Sequence, residues 1–437
     1  MFVLFQMALR NLRAHRERAL LLFLVVAGAS GVLVMSMALT AGVASAHRQA
    51  TTTFLSGEVN VGGYFKVHPD SVAPVMGASG RVREVITPLV PEGCHLRERG
   101  RGRATVGVAR RRYSSFLVSL DVAAEKQALD AILMKEGQLG ALARPRTIVL
   151  STAMAERLKV GVGDMATLFT ESIGTLRRNA LDVEVVAIMQ GAGLLGSSSG
   201  ILISNATLGE LQGYRAGAAG VLQLECLTDA SGGRDPNAVG DTWRQALRTA
   251  GFEVLPALNK AYGDKLAPML REGWRGQRLD VSTWEDESWF LRFITDGLGA
   301  LTVVLGLIVL AVVVVGLFMA QSVAVRERTR EIGTLRAMGL QRPLVAVLFM
   351  TEGLLLGAVG SVCGAAAALG ACVLLRDAVP LPGPLVDFFF SPHLPLSPSL
   401  GSAVVAVVLV TFCASLAVLV PSLRAAWLSP RSAMESL

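Results

Sequence analysis

Residues 326–340 read RERTREIGTLRAMGL, a charged and helix-like segment placed between two long apolar stretches. Upstream, residues 297–319 carry no charge, and downstream Glu352 is the only charged residue of 344–375. About 20 consecutive apolar residues are enough for a helix to cross a bilayer. The sequence therefore predicts a short charged helix held between two membrane-spanning helices.

The composition of the whole chain supports a membrane protein. Of its 437 residues, 52% are hydrophobic and 17% charged, whereas soluble domains carry about a quarter charged residues. Four spans are predicted, at 19–44, 291–322, 344–375 and 399–420. The expected fold class is an α-helical membrane protein with four transmembrane helices and a large α+β extracytoplasmic domain, residues 45–290, inserted between the first and second.

A signal peptide is the alternative interpretation of the first apolar run. Ala44-Ser45-Ala46 resembles a signal-peptidase site. The run before it exceeds 20 residues, however, whereas the apolar region of a signal peptide has about 7–15. The length favours a membrane span.

Orientation follows from the short loops, since Lys and Arg are retained on the cytoplasmic side. Arginine is concentrated in three segments: 1–18, 323–343 and the tail 421–437. The first of these is predicted to be an amphipathic N-terminal helix. The loop 376–398 has only Arg376 against two aspartates. Both termini are therefore expected inside, with 45–290 and 376–398 outside. The net charge of +7 is explained by this topology and does not indicate nucleic-acid binding.

The inserted domain alternates short strand and helix patterns. In TIVLSTAMAERLKVGVGDMATLF (147–169) we expect a strand, a helix capped by Ser151, a turn and a second strand. Cys94 and Cys226 lie in this domain; whether they form a disulfide is left open by the sequence. The loop 170–180, with Ile173, Leu176 and Arg177 near its tip, is either a partner-binding loop or an ordinary surface connection.

The segment STWEDESWFLRFITDG (282–297) connects the inserted domain to the second span. Ser282 or Thr283 is predicted to cap a helix that continues unbroken into the second span. Trp284, Trp289 and neighbouring phenylalanines suit the aromatic belt at a membrane interface.

The chain lacks several common catalytic and nucleotide-binding signatures. It has no GxxxxGK[ST] phosphate loop and no HExxH or CxxC pair. We therefore predict neither catalytic residues nor metal ligands, and no cofactor bound by this chain. Glu352 is the one acid inside the spans, and an intramembrane carboxylate is a functional candidate. Pairing with Arg342, pairing with a neighbouring subunit and a part in transport all remain open for it.

The charged segment itself fits a helix over 323–338. Ile332, Leu335 and Met338 would share one exposed apolar stripe, Gly339 would end the helix, and Pro343 suits the first turn of the next span. A positive-inside anchor would need only the arginines, whereas a docking helix also explains the stripe. The candidate docking residues are Arg326, Glu327, Arg330, Glu331, Ile332, Gly333, Leu335, Arg336, Met338 and Gly339.

These residues carry a family resemblance. RERTREIGTLRAMGLQRPLV (326–345), the Gly-rich TEGLLLGAVGSVCGAA (351–366) and the tail PSLRAAWLSPRSAMESL (421–437) resemble the FtsX/MacB-type ABC transporter permeases, the mechanotransmission class. The inserted domain is similar in layout to the periplasmic domain of the lipoprotein-releasing LolC and LolE permeases. The segments that carry this similarity are IVLSTAMAERLKVGVGDMATLF and VEVVAIMQGAG.

The resemblance implies a coupling helix at 323–338 that docks on separate ABC ATPase subunits, which would bind the ATP and Mg. It also implies a dimer with a second copy or a paralogue, a lipophilic cargo, and a multi-pass location in the bacterial inner membrane with the large domain in the periplasm. The 170–180 loop is shorter than the LolC loop that recruits a periplasmic carrier.

Three functions remain as alternatives at this point. The first is extraction or export of a lipoprotein, lipid, peptide or drug. The second is FtsX-like signal transduction to a cell-envelope enzyme without transport, and the third is a membrane scaffold without an ATPase. The domain of about 245 residues favours the first, because division-type regulators carry a much smaller one.

Overall fold

The computed structural model describes residues 6, 10, 16–68, 71–122, 125, 132, 134–171, 178–190, 200–215, 217–226, 235–337, 341–389 and 391–427. The chain divides into two compact units. We call the first the membrane unit; it comprises Met1–Ser45, Ile294–Pro380 and His393–Leu437. The second is the α+β unit, with Ala46–Phe293 and Leu381–Pro392.

The elements are numbered in chain order. The helices are α1 (Arg16–Ala50), α2 (Ser79–Ile86), α3 (Thr152–Leu158), α4 (Asn205–Gln212), α5 (Pro236–Thr249), α6 (Leu266–Arg271), α7 (Trp284–Glu287), α8 (Trp289–Glu327), α9 (Thr329–Ala337), α10 (Arg342–Ala378), α11 (Gly383–Phe389) and α12 (Leu400–Trp427). The strands are β1 (Val59–His68), β2 (Ser71–Ala73), β3 (Cys94–Arg99), β4 (Arg101–Val108), β5 (Arg111–Leu120), β6 (Met134–Gly137), β7 (Thr147–Ser151), β8 (Met165–Glu171), β9 (Arg178–Met189), β10 (Ile201–Ser204), β11 (Val221–Cys226) and β12 (Gly276–Thr283).

Four helices, α1, α8, α10 and α12, are long and apolar enough to cross a membrane. Glycines on α10 let the others approach it closely. A Cβ at Gly353 would lie 2.4 Å from Val418 of α12, and one at Gly364 would lie 2.0 Å from the Ala27 carbonyl oxygen of α1. Small residues at such crossings are typical of helix packing in membranes, where tight van der Waals contact replaces the hydrophobic effect.

The α+β unit holds two sheets. The first has the order β12-β1-β11-β3, with β2 added to β1. The second has the order β6-β9-β7-β10-β5-β4-β8, and β8 pairs with β9 as well, so six of its strands close into a ring. Apolar side chains fill the ring, Ile148, Leu150, Leu168, Val183 and Ile201 among them, all fully buried.

The pattern predicted for 147–169 is confirmed. Strand β7 leads into α3, whose N-cap Ser151 accepts a hydrogen bond from the Met154 N–H. Lys159 ends the helix with a φ of 59°. The turn that follows includes Gly163 at a φ of 93°, a conformation that glycine adopts without steric cost.

The strand that follows the first span and the strand that precedes the second are neighbours. β1 and β12 pair antiparallel over eight residue pairs, from Val59 with Thr283 to Lys66 with Gly276. The two chain connections of Ala46–Phe293, the larger segment of the α+β unit, therefore enter one sheet side by side.

The sequence-based expectation of an unbroken helix from Thr283 into the second span is wrong. Thr283 does cap a helix, through a capping box with Asp286. That helix, α7, ends at Glu287, and Ser288 leaves the helical conformation at φ −103° and ψ 22° before α8 begins. The helix is interrupted because Glu287 is drawn into the α+β unit, where its carboxylate accepts hydrogen bonds from Ser282 and Arg101.

The open question about cysteines is answered by the sheet. Cys94 of β3 and Cys226 of β11 are opposite each other in the antiparallel register. They form a disulfide that links positions 132 residues apart in sequence.

Candidate coupling site

The charged segment of the sequence forms two helices separated by Arg328. Helix α8 runs on through Glu327, and α9 begins at Thr329. The Thr329 hydroxyl donates to the carbonyl oxygens of Val325 and Arg326, at 3.1 and 2.7 Å, so the last carbonyls of α8 are satisfied where the chain turns. The segment 323–338 is therefore the end of a span followed by a short separate helix.

Ile332 is not part of an exposed stripe, and the expectation that it would be is wrong. It is 3% exposed and packs with Val325, Val345, Phe349 and Ala425. Ile332 is therefore covered by residues of α8, α10 and α12. The structure describes the backbone of Leu335 but not its side chain, and Met338 and Gly339 lie outside the described residues.

The outward side of α9 is charged. Arg330, Glu331 and Thr334 of α9 are exposed, whereas Gly333 is buried and Arg336 half-buried. Arg326 and Glu327, at the end of α8, are exposed as well. A partner that meets α9 here would contact this polar side. Recognition would then depend on ion pairs and hydrogen bonds more than on an apolar groove, which favours specificity and orientation over raw affinity.

Glu352 lies beneath the turn between α8 and α9. Its Oε1 is 3.3 Å from the Nη1 of Arg328, and the two side chains are 6% and 12% exposed. Arg342, one of the partners expected from the sequence, lies ten residues away on the same helix, which is about 15 Å along its axis. The Arg342 guanidinium is instead 5.1 Å from the Trp427 ring centroid. Glu352 therefore holds the Arg328 turn against α10.

Separating this ion pair should loosen the turn. We expect Arg328→Met to lower the free energy of unfolding by about 2–3 kcal/mol, below the 3–5 kcal/mol typical of a fully buried pair because Arg328 is partly exposed. Thermal unfolding of the purified protein would measure it. The double variant Arg328→Met, Glu352→Met should recover at least about 1 kcal/mol, because no charge is then left behind. Strictly additive losses would show that the two side chains do not interact.

A second contact joins the start of α1 to the end of α8. Arg18 Nη1 lies 3.0 Å from Glu327 Oε2. Both side chains retain considerable exposure, 30% and 60%. An exposed pair of this kind contributes little to stability, and it can open without a large penalty.

Ile173, Leu176 and Arg177, the candidate partner loop, lie outside the described residues, as does the tail from residue 428. Among the residues that the structure describes, no group of three or more His, Cys, Asp or Glu side chains is arranged to hold a metal ion.

Sequence reasoning missed one polar cluster, in the α+β unit. Arg97 and Arg99 of β3 are 2% and 1% exposed. They contact Glu125 and the side chains of β11, Gln223 and Glu225. The sequence carried a signal for it. Two arginines alternate in HLRERG (95–100) and two polar residues alternate in VLQLEC (221–226), so each strand turns a polar row to one face.

The membrane unit matches a known family. Residues 303–430 match the model described as FtsX-like permease C-terminal. That range contains most of α8, all of α9 and α10, and α12.

Two curated relatives match over short stretches. The chain is 40% identical over 60 residues to the uncharacterized ABC transporter permease YvrN of Bacillus subtilis (strain 168), which covers 14% of this chain and 15% of that protein. It is 33% identical over 76 residues to the ABC transporter permease YtrF of the same organism, 17% of each chain. The matches thus span about a sixth of the length of these relatives.

Solved structures of related domains are similar at a low level. The periplasmic region of MacB from Actinobacillus actinomycetemcomitans gives a TM-score of 0.31 at 7% identity, covering 54% of this chain and 92% of that one. The extracellular domain of the noncanonic ABC-type transporter YknZ from Gram-positive bacteria gives 0.28 at 12% identity, with 44% and 95% covered.

The family match and the short alignments agree with the resemblance noted in the charged segment and the spans around it. Residues 303–430 are thus similar to the C-terminal region of FtsX-like permeases, and the short alignments are to ABC transporter permeases.

Proposed function

We propose that this chain is the membrane subunit of an ABC transporter in the bacterial inner membrane, driven by ATP hydrolysis on separate ATPase subunits that dock on α9. The observation that carries the proposal is the charged face of α9. Arg330, Glu331 and Thr334 point outward, while Ile332 and the Arg328–Glu352 pair fasten the helix to the ends of three spans. Because α9 is fixed in this way, a displacement imposed on it by the ATPase would be transmitted to the spans.

The arginine distribution supports the orientation. Arg326, Arg330, Arg342 and Arg424 belong to segments that would face the cytoplasm by the positive-inside rule. The α+β unit would then lie in the periplasm, an oxidising compartment that suits the Cys94–Cys226 disulfide.

We further propose that the permease works as a pair, with a second copy or a paralogue, and moves a lipophilic cargo such as a lipoprotein, lipid, peptide or drug. The β1–β12 ladder supports movement of the α+β unit as a body, since it brings the two chain connections of Ala46–Phe293 into one sheet. Recruitment of a periplasmic carrier through Ile173, Leu176 and Arg177 is part of the same proposal.

Docking is tested by exchanging two exposed charges on α9. We expect Arg330→Glu with Glu331→Arg to weaken binding of the ATPase by at least about tenfold, equivalent to about 1.4 kcal/mol, with the permease as stable as wild type. Affinity capture of the tagged permease from membranes, with its ATPase quantified by mass spectrometry, gives the measurement.

The matched control makes the same exchange on α1, as Arg16→Glu with Glu17→Arg. Both residues are exposed, and their exchange should leave ATPase binding unchanged. Equal loss in both variants would mean that the charge pattern acts generally and α9 is not the dock. If the wild-type permease binds its ATPase normally but extracts no cargo, FtsX-like signal transduction would be favoured.

A further inference from the structure

The first membrane helix ends inside a charged pocket of the α+β unit. Residues Thr51–Leu55 continue α1 as a single π-helical turn, and Ser56 then takes an extended conformation. The end of a helix leaves its last carbonyl groups without helical partners. Ser56 is fully buried here, so water does not reach these groups freely and protein donors must satisfy them.

Side chains from two strands supply those donors. Arg97 Nη2 donates to the carbonyl oxygens of Thr52 and of Ser56, the latter at 2.7 Å. Arg99 Nη1 donates to the Thr53 carbonyl at 2.6 Å. Gln223 Nε2 donates to the Leu55 carbonyl at 3.3 Å. We call these three side chains and four carbonyls the helix-end cluster.

Two carboxylates hold the arginines from behind. Glu125 Oε2 accepts from Arg99 Nε at 2.8 Å, and Glu225 Oε1 lies 2.9 Å from Arg97 Nη1. The two arginine cations are thus balanced by two glutamate anions. Burial still disfavours the charged form of Arg97 and is the main cause that lowers its pKa to about 10. The positive charge of Arg99 is the second cause.

The rest of the joint is short and tight. Only Ser56, Gly57 and Glu58 separate the turn from β1. Gly57 lies so close to β11 that a Cβ there would be 2.5 Å from the Leu224 carbonyl oxygen. The Glu58 N–H donates to that same oxygen at 2.7 Å. Movement of the helix end therefore cannot be taken up by a loop.

We propose that Arg97 and Arg99 are the positioning residues that couple α1 to the α+β unit, so that displacement of the helix end moves the sheet with it. This rests on the proposed function, in which the displacement originates at the ATPase. Guanidinium is suited to the task because its five N–H groups in a rigid fork bridge carbonyls and a carboxylate at once. A lysine retains the charge but has one nitrogen, which cannot reach these partners together.

The test uses the full permease with its ATPase, Arg97→Lys and Arg99→Lys, and hydrogen exchange followed by mass spectrometry. Without nucleotide, amides of residues 52–58 should exchange at least about tenfold faster in either variant, since charge-assisted hydrogen bonds that hold the segment are lost. When vanadate traps the ATPase, wild type should change its hydrogen exchange in β3 and β11, and the lysine variants should lose most of this change. ATP hydrolysis, measured separately without vanadate, should continue in both variants.

Arg244→Lys is the matched control. Arg244 is a buried arginine of α5 in the same unit that donates to the Val281 carbonyl, and it is not one of the side chains of the helix-end cluster. It should destabilise the unit to a similar extent and leave the nucleotide-dependent change intact. If Arg244→Lys removes that change as fully as Arg99→Lys does, the arginines have only a structural role and the inference fails.

The remaining outcomes separate the inference from the proposed function. No nucleotide-dependent exchange change in wild type would contradict the proposed function. A change in wild type that both lysine variants retain in full would overturn the coupling role. If either lysine variant fails to fold, Arg99→Met with Glu125→Met removes the pair without leaving an orphan charge. Full retention of the nucleotide-dependent change in that folded variant would equally overturn the inference.

Discussion

Replacing Ile332 with aspartate should lower the free energy of unfolding of the permease by on the order of 4 kcal/mol. The loss combines the burial of a large aliphatic side chain, about 2–3 kcal/mol, with the cost of placing a carboxylate among apolar neighbours. Val325, Val345, Phe349 and Ala425 surround the site. The midpoint of thermal unfolding in detergent, and the fraction of monodisperse protein, would measure the effect.

Thr334→Asp is the control on the same helix, because Thr334 is exposed. It should change the free energy of unfolding by less than about 0.5 kcal/mol. If Ile332→Asp were as stable as wild type while losing its ATPase, the side chain would be a docking residue as the sequence first indicated, and its burial would not describe the working protein.

Removing the disulfide should have a comparable effect on the α+β unit. Cys94 and Cys226 close a loop across 132 residues of sequence. For loops of that size the chain-entropy model gives about 4–5 kcal/mol, and native disulfides measured in small domains give about 2–5 kcal/mol. We expect Cys94→Ala with Cys226→Ala to lower the unfolding temperature of the α+β unit markedly.

Trp243 offers a signal for this measurement, since it is fully buried in the core that contains both cysteines. Reductant should lower the wild-type transition and leave the double alanine variant unaffected. The other three cysteines, Cys363, Cys372 and Cys413, are free thiols. Their replacement by serine should leave the sensitivity to reductant in place, and loss of that sensitivity would assign it to them.

The sequence predicted the architecture well because spans depend on a local property. Runs such as 297–319 are uncharged and mostly apolar, and no tertiary contact is needed to recognise them. The helix α3 and its Ser151 cap were predictable for the same reason. Local capping chemistry and periodicity carry the information.

Ile332 and the arginines of β3 show where that information ends. A stripe at spacing three shows that one side of α9 is apolar, but not whether a partner or the ends of α8, α10 and α12 cover it. Arg97 and Arg99 have partners far along the chain, at Thr52, Glu125 and Gln223. Glu352 likewise meets Arg328 because the chain turns there. Such pairings depend on topology, which no local pattern specifies.

The helix-end cluster also decides where the α+β unit can be separated from the rest of the chain. A cut at Glu58, just before β1, looks natural from the strand boundaries. It would remove the carbonyl groups that Arg97 and Arg99 bind, and it would leave two buried guanidiniums facing an empty space. A soluble version of the unit should therefore begin ahead of Thr51 and keep the last turn of α1 as its own first element. At this connection, the boundary between the two units at Ser45 and Ala46 lies within α1.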